Sequence, residues 1–148
     1  MAVADDLDLA ADSSWDWVAE HTRTYLASGG TERAEENGVK TLVLVTTGRK
    51  SGEPRRCCLI YDTSGEDFVV VASKGGSDAD PDWFANLRAN PSVGVQAGPR
   101  RFTAVARVAS PEERERLWPQ MVGVFPLYAE YAEKTDRVIP IVLLTPQD

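Results

Sequence analysis

The sequence is poor in the residues from which metal sites are built. It has one histidine, His21, and two cysteines, Cys57 and Cys58, among 148 residues. A zinc centre of the His/Cys type needs four ligands, and adjacent cysteines on a strand point to opposite faces. That geometry also keeps the two from bonding to each other. A Ser-His-Asp machine would need His21, which stands in an N-terminal helical stretch with no matching motif. No apolar run approaches the ~20 residues of a membrane helix, and no signal-peptide pattern opens the chain. Cytoplasmic residence is therefore expected, with peripheral membrane contact left open. Cations are short too, with 16 Lys and Arg against 23 Asp and Glu, a formal charge of −7. With no broad basic surface to release counterions from phosphates, nucleic acid is not an expected partner.

What is present suits one soluble globular domain with a sizeable core, 43% hydrophobic and 26% charged. The charge is unevenly spread. Residues 1–20 carry Asp5, Asp6, Asp8, Asp12, Asp16 and Glu20 and no Lys or Arg, so the remainder is nearly neutral. Residues 1–30 read as an acidic N-terminal segment with a helix capped by Ser13 or Ser14 and reaching about Leu26. Trp15, Val18, Tyr25 and Leu26 would share its apolar side. Residues 31–148 read as the folded domain.

Val39 to Thr47 is rich in β-branched residues and bounded by glycine, which marks a strand. Arg56 to Thr63 is its expected antiparallel partner, and Ser64-Gly65-Glu66 turns the chain into a third strand, Phe68 to Ser73. Asp80-Pro81 should cap and open a short helix running to about Ala89, which Asn90-Pro91 stops. Ser92–Ala97 and Arg101–Val108 read as strands. Ser110-Pro111-Glu112-Glu113 is a capping box opening a helix, a second helical stretch spans about Leu127–Lys134, and Val138–Leu144 is a last strand. Six mostly antiparallel strands with short helices between them predict a small closed or split barrel.

Four stretches could carry chemistry. Between the first two strands, Arg49, Lys50, Arg55 and Arg56 face Glu53 alone, a local balance of +3 on a glycine- and proline-tightened turn. Forked guanidiniums, a compact ammonium and free backbone N–H groups suit phosphate or carboxylate, although no Walker A pattern is present. The turn alone reads equally well as a solvated hairpin. Ser73-Lys74-Gly75-Gly76 ends the third strand with bare backbone that a flat ligand could approach, or as a plain loop. Trp83 and Asn86 are one helical turn apart, as are Tyr128 and Tyr131. Either pair could face a ligand or simply pack.

Taken together and in this order, T-T-G-R-K-S-G-E-P-R, V-V-V-A-S-K-G-G, P-D-W-F-A-N-L-R-A-N-P and Y-x-x-Y-x-x-K-T-D-R-x-I-P resemble the deazaflavin-dependent nitroreductase family, small actinobacterial proteins that use coenzyme F420. The resemblance runs from about Val39 to Pro146. It implies a six-stranded antiparallel split β-barrel of the FMN-binding kind, mainly β with short flanking helices. It also implies that Arg49, Lys50, Ser51 and Arg55 hold the phosphate or polyglutamate tail of F420. Ser73, Lys74, Gly75 and Gly76 would approach its ring and phosphate, with Trp83 and Asn86 walling it. Tyr128 and Tyr131 would be catalytic, facing an electron-poor acceptor (a quinone, an enone or a nitroaromatic). Phe125 stands where some relatives have tyrosine. The expected activity is hydride transfer from reduced deazaflavin to a small hydrophobic acceptor, by a monomer or homodimer. The alternatives are a non-catalytic F420 carrier and a barrel of the same kind holding FMN or haem.

Overall fold

The strand at Val39–Thr47, β2, is buried on both faces for most of its length, and the rest of the protein is arranged on either side of it. A computed structural model describes residues 22–23, 25–28, 35–36, 39–76 and 79–147. The expected helix residues Trp15 and Val18 lie outside these, as do Gly29, Gly30 and most of residues 31–38. Eight strands are found among the described residues: β1 (Glu35–Glu36), β2, β3 (Pro54–Ile60), β4 (Asp62–Ser64), β5 (Asp67–Val71), β6 (Ser92–Ala97), β7 (Arg100–Val108) and β8 (Ile141–Pro146). Helices α1 (Asp82–Ala89), α2 (Pro111–Val124) and α3 (Leu127–Glu133) accompany them, and residues 22–23 and 25–27 are also helical.

Every pairing is antiparallel, in the order β1-β2-β6-β7-β8-β5-β4 with β3 on β2. β3 and β4 follow one another in the chain yet lie at opposite ends of this order. The ribbon 54–64 therefore bridges the two edges of the curled sheet and closes it as a split barrel. That is why the single expected strand at Arg56–Thr63 is two. It cannot stay coplanar with both β2 and β5, so it breaks at Tyr61, whose N–H donates to the Lys40 carbonyl at 3.1 Å. This break and the two-residue β1 raise the count from the six strands expected. The Tyr61 ring packs 5.4 Å from Phe68 at the seam.

Alternation sorts the side chains. Leu42 and Leu44, Phe68 and Val70, and Val142 and Leu144 fill the barrel with Val93, Val95 and Phe102. The opposite residues of β5 and β8, Val69, Val71, Ile141 and Leu143, form an outer cluster with Leu117 and Met121 of α2 and Tyr128 of α3. On the far side Val43 and Val45 meet Tyr25, whose hydroxyl donates to the Thr41 carbonyl at 3.0 Å and accepts from Gly98 N–H at 2.5 Å. Burial pushes the pKa of that hydroxyl up to about 12. The adjacent cysteines part as expected, Cys57 toward the barrel and Cys58 toward Tyr25.

The capping box at α2 is present: Ser110 Oγ accepts from Glu113 N–H at 3.2 Å and Glu113 Oε1 accepts from Ser110 N–H at 3.0 Å. Arg107 adds a forked pair to Glu113, and with that bond first among the causes the Glu113 pKa falls to about 2. The cap of α1 differs from expectation. Pro81, whose side chain has no acceptor, is the N-cap, and the Asp80 carboxylate is paired instead with Arg137 at 2.9 Å. Among the described residues no helix is long and apolar enough to cross a membrane.

Candidate functional site

The basic turn between β2 and β3 is a tight, hydrogen-bonded loop. Gly48 N–H donates to the Glu53 carbonyl and Gly52 N–H to the Gly48 carbonyl, both at 2.8 Å. A Cβ at Gly48 would stand 2.6 Å from Ser51 Oγ and 3.2 Å from the Glu53 carbonyl, so the loop closes this tightly only on glycine. Ser51 Oγ accepts from Glu53 N–H at 3.1 Å, which gives this residue a turn-forming role besides any contact with a ligand.

What aims the turn is Asn86 of α1. Its side chain is 4% exposed. Its Oδ1 accepts from the backbone N–H of Arg49 at 3.1 Å and from Arg49 Nη1 at 2.9 Å, while its Nδ2 donates to Thr46 Oγ1 at 3.2 Å. A buried primary amide can serve donor and acceptor partners at once, which an aliphatic or a carboxylate could not. Arg49 is further paired with Asp82 at 3.5 Å. Asn86, expected as a wall of the cofactor, thus stands as the clamp between α1 and the turn. Trp83, one turn earlier, is half-buried against the barrel core and edge-on to Phe84 at 6.3 Å.

Two cations of the turn are left over. Lys50 and Arg55 are exposed and form no ion pair among the described residues. At the end of β2 the Thr47 hydroxyl is the one buried side-chain polar atom among the described residues without a hydrogen-bond partner, on the face opposite Arg55, whose register partner is Thr46. Buried polar atoms are normally satisfied. Two exposed cations on a hydrogen-bonded turn are donors of the kind that bind phosphate or carboxylate.

At the end of β5, Lys74–Gly76 form a single 3-10 turn. Lys74 has φ of 45° and Gly76 of 82°. A Cβ on Gly76 would lie 2.8 Å from the Tyr131 carbonyl and 3.0 Å from its Cα. The side of Gly76 on which a Cβ would stand is therefore filled by α3, which gives its missing side chain a packing reason; Ser73, largely buried, and Lys74, half-buried, stand at the same turn. α3 itself carries the aromatic wall. Tyr128 is 4% exposed, and its ring centroid lies 5.0 Å from Phe125 and 6.3 Å from Tyr131. Burial first, and the neighbouring Tyr131 phenol second, push the Tyr128 pKa above the usual tyrosine range.

The four stretches are thus physically linked. The turn is bound to α1 through Asn86, and the Lys74 turn to α3 through Gly76. A residue outside the expected set joins the halves: Arg137 donates to the Ala72 and Ser73 carbonyls and pairs with Asp80 just before α1. A groove of about 930 Å³ lined by Asp80, Phe84, Arg88, Arg114, Arg137 and Val138, among others, contains none of the expected site residues.

A small antiparallel split barrel with an exposed cationic turn fits the flavin- and deazaflavin-binding class that the sequence motifs resemble, and comparison with known proteins selects within that class. A family model described as F420H(2)-dependent quinone reductase matches residues 17–146. The F420H(2)-dependent quinone reductase Rv1261c of Mycobacterium tuberculosis is 41% identical over 109 residues, covering 71% of this chain and 72% of that protein. A solved F420-H2 dependent reductase (FDR-A) superimposes with TM-score 0.65 at 41% identity, over 70% of this chain and 92% of that one. Another structure, described as a domain-swapped dimer, gives 0.69 at 38% identity over 89% and 99%. The chain belongs to the F420H(2)-dependent quinone reductase family. The family match starts at residue 17, upstream of the Val39 at which the resemblance in the motifs begins.

Proposed function

We propose that this protein reduces a quinone with coenzyme F420H2, bound by its phosphate and carboxylate tail at the β2–β3 turn. The observation that carries the reading is the pair of unpartnered cations, Lys50 and Arg55, on a turn whose shape is fixed by Asn86. Arg49, already engaged by Asn86 and Asp82, orients the loop and adds charge beside the anion. Lys74 and Ser73 supply further donors at the strand end, and Trp83 offers a flat apolar face.

When bound, F420H2 supplies a hydride to the acceptor. The chain must then stabilise negative charge on the acceptor oxygen and see it protonated. Tyr128 and Tyr131 are the groups proposed for this. Like any phenol, Tyr128 keeps its proton at Oη through neutral pH and serves as a hydrogen-bond donor to the developing oxyanion, and burial pushes its pKa further up. The same high pKa makes it reluctant to release that proton, so solvent is the better final source. The packed rings of Phe125, Tyr128 and Tyr131 give an apolar quinone a complementary surface. We place the protein in the cytoplasm, and the relative described as a domain-swapped dimer favours a homodimer over a monomer.

The test is a fluorescence-quench titration with F420, followed by steady-state oxidation of F420H2 with a short-chain naphthoquinone. Binding with turnover is expected. Binding without turnover on any acceptor would make the protein a carrier, and binding of FMN in place of F420 would overturn the cofactor. Tyr128→Phe should lower kcat roughly 10–100-fold while F420 affinity stays within about twofold; unchanged turnover removes Tyr128 from the reaction.

A further inference from the structure

Lys74 is the only non-glycine residue with positive φ among the described residues. A lysine at φ of 45° adopts a backbone conformation that L-residues rarely take, and such strain persists only where the surroundings over-determine it. The restraint is visible on three sides. Gly76 N–H donates back to the Ser73 carbonyl at 3.0 Å. The Tyr131 backbone lies against Gly76 with no room for a Cβ. Beneath the turn, Arg137 Nη1 and Nη2 both reach the Ala72 carbonyl at 3.2 Å, and Nη2 donates to the Ser73 carbonyl at 2.8 Å. Arg137 Nη1 also pairs with Asp80 at 2.9 Å, and the arginine side chain is only 15% exposed.

We propose that Arg137 is a positioning residue of the cofactor site, whose guanidinium fork holds the carbonyls on the N-terminal side of Lys74 and so fixes where the Lys74 ammonium stands. The inference rests on the reading of Lys74 as an F420 contact and goes beyond it by naming what sets that contact. The chemistry requires arginine. Its planar fork can bridge two successive carbonyls and a carboxylate at once, whereas a lysine could satisfy Asp80 but not both carbonyls in fixed geometry. Arg137 also ties the Lys74 turn to Asp80, at the foot of the helix that carries Asn86. One side chain thereby sets the two halves of the anion site against each other. Its outer side lines the 930 Å³ groove, so a small cation could enter from solvent if the side chain were removed.

The experiment is an F420 titration of the parent, Arg137→Lys, Arg137→Ala, Lys74→Ala and the Lys74→Ala/Arg137→Ala double variant, with thermal unfolding of each. Arg137→Lys and Arg137→Ala should each weaken binding about tenfold, as Lys74→Ala does. If Arg137 acts through Lys74, the double variant should bind within about twofold of Lys74→Ala alone. Millimolar guanidinium should restore affinity to Arg137→Ala, and ammonium at the same concentration should not. Losses that multiply in the double variant, or parent-like binding by Arg137→Lys, overturn the proposal. Arg137→Lys decides the matter if Arg137→Ala does not fold. A parent that fails to bind F420 at all sinks the cofactor reading, and this proposal with it.

Discussion

The cationic turn at one end of the site and the aromatic wall at the other differ in how much of the fold rests on them. Lys50 and Arg55 are exposed, and neither side chain belongs to a buried cluster. Tyr128 belongs to the outer core with Leu117, Met121 and Leu143, and the helix that carries it is in backbone contact with Gly76. The side chains proposed to bind the cofactor at the turn are nearly independent of stability, whereas those proposed to face the acceptor are also packing groups. A substitution at the turn should therefore separate affinity from folding, and one at the wall should move both.

The largest effect on stability should come where wall and strand end meet. Gly76→Ala puts a Cβ 2.8 Å from the Tyr131 carbonyl at a φ of 82°. Backbone strain and overpacking together should cost about 2–4 kcal/mol, read from chemical denaturation, and should lower turnover as α3 shifts. A variant with parent-like stability would show that α3 yields easily, and the contrast between the two regions would weaken.

Asn86 tests the comparison from within the turn. It is buried, so it should behave like the wall although it serves the cations. Asn86→Ala strips the acceptor from Arg49 and the donor from Thr46 Oγ1. The loss should be about 1–3 kcal/mol of stability together with weaker F420 binding, since the turn is no longer held in place. Loss of affinity with no loss of stability would instead make Asn86 a direct ligand of the cofactor.

Both the legible and the illegible parts of the site follow from this division. The strands were readable because β2, β5 and β8 alternate or run apolar, and the capping box at Ser110 is a local pattern. The cationic stretch was readable as a turn because its glycines and proline lie between two strand patterns, although its exposed charge alone reads equally well as a solvated hairpin. Closure through the break at Tyr61 was not readable, because nothing local tells one strand from two that serve opposite edges of a sheet. Neither was the duty of Asn86, whose partners lie 37 and 40 residues away in sequence. Gly76 was marked as unusual, correctly, but a missing Cβ does not say whether ligand or helix fills the space. Arg137 stood within the last of the four motifs but no role was assigned to it, since an arginine beside an aspartate looks like any surface pair until its carbonyl partners are known.

The smallest expected change in stability is also the sharpest test. Arg55 is exposed, outside every ion pair described and away from the buried clusters. Arg55→Ala should alter unfolding free energy by no more than about 0.5 kcal/mol. Its guanidinium is free to make charge-assisted bonds, and losing one such contact should weaken F420 binding roughly 10–100-fold. Because the contact is electrostatic and solvent-exposed, the parent's affinity should fall with added salt, and that of Arg55→Ala should fall less steeply. If Arg55→Ala binds F420 as the parent does, the anion lies elsewhere and the turn is a solvated hairpin after all. If it destabilises the fold as Gly76→Ala does, the turn is structural and the distinction between the two ends of the site fails.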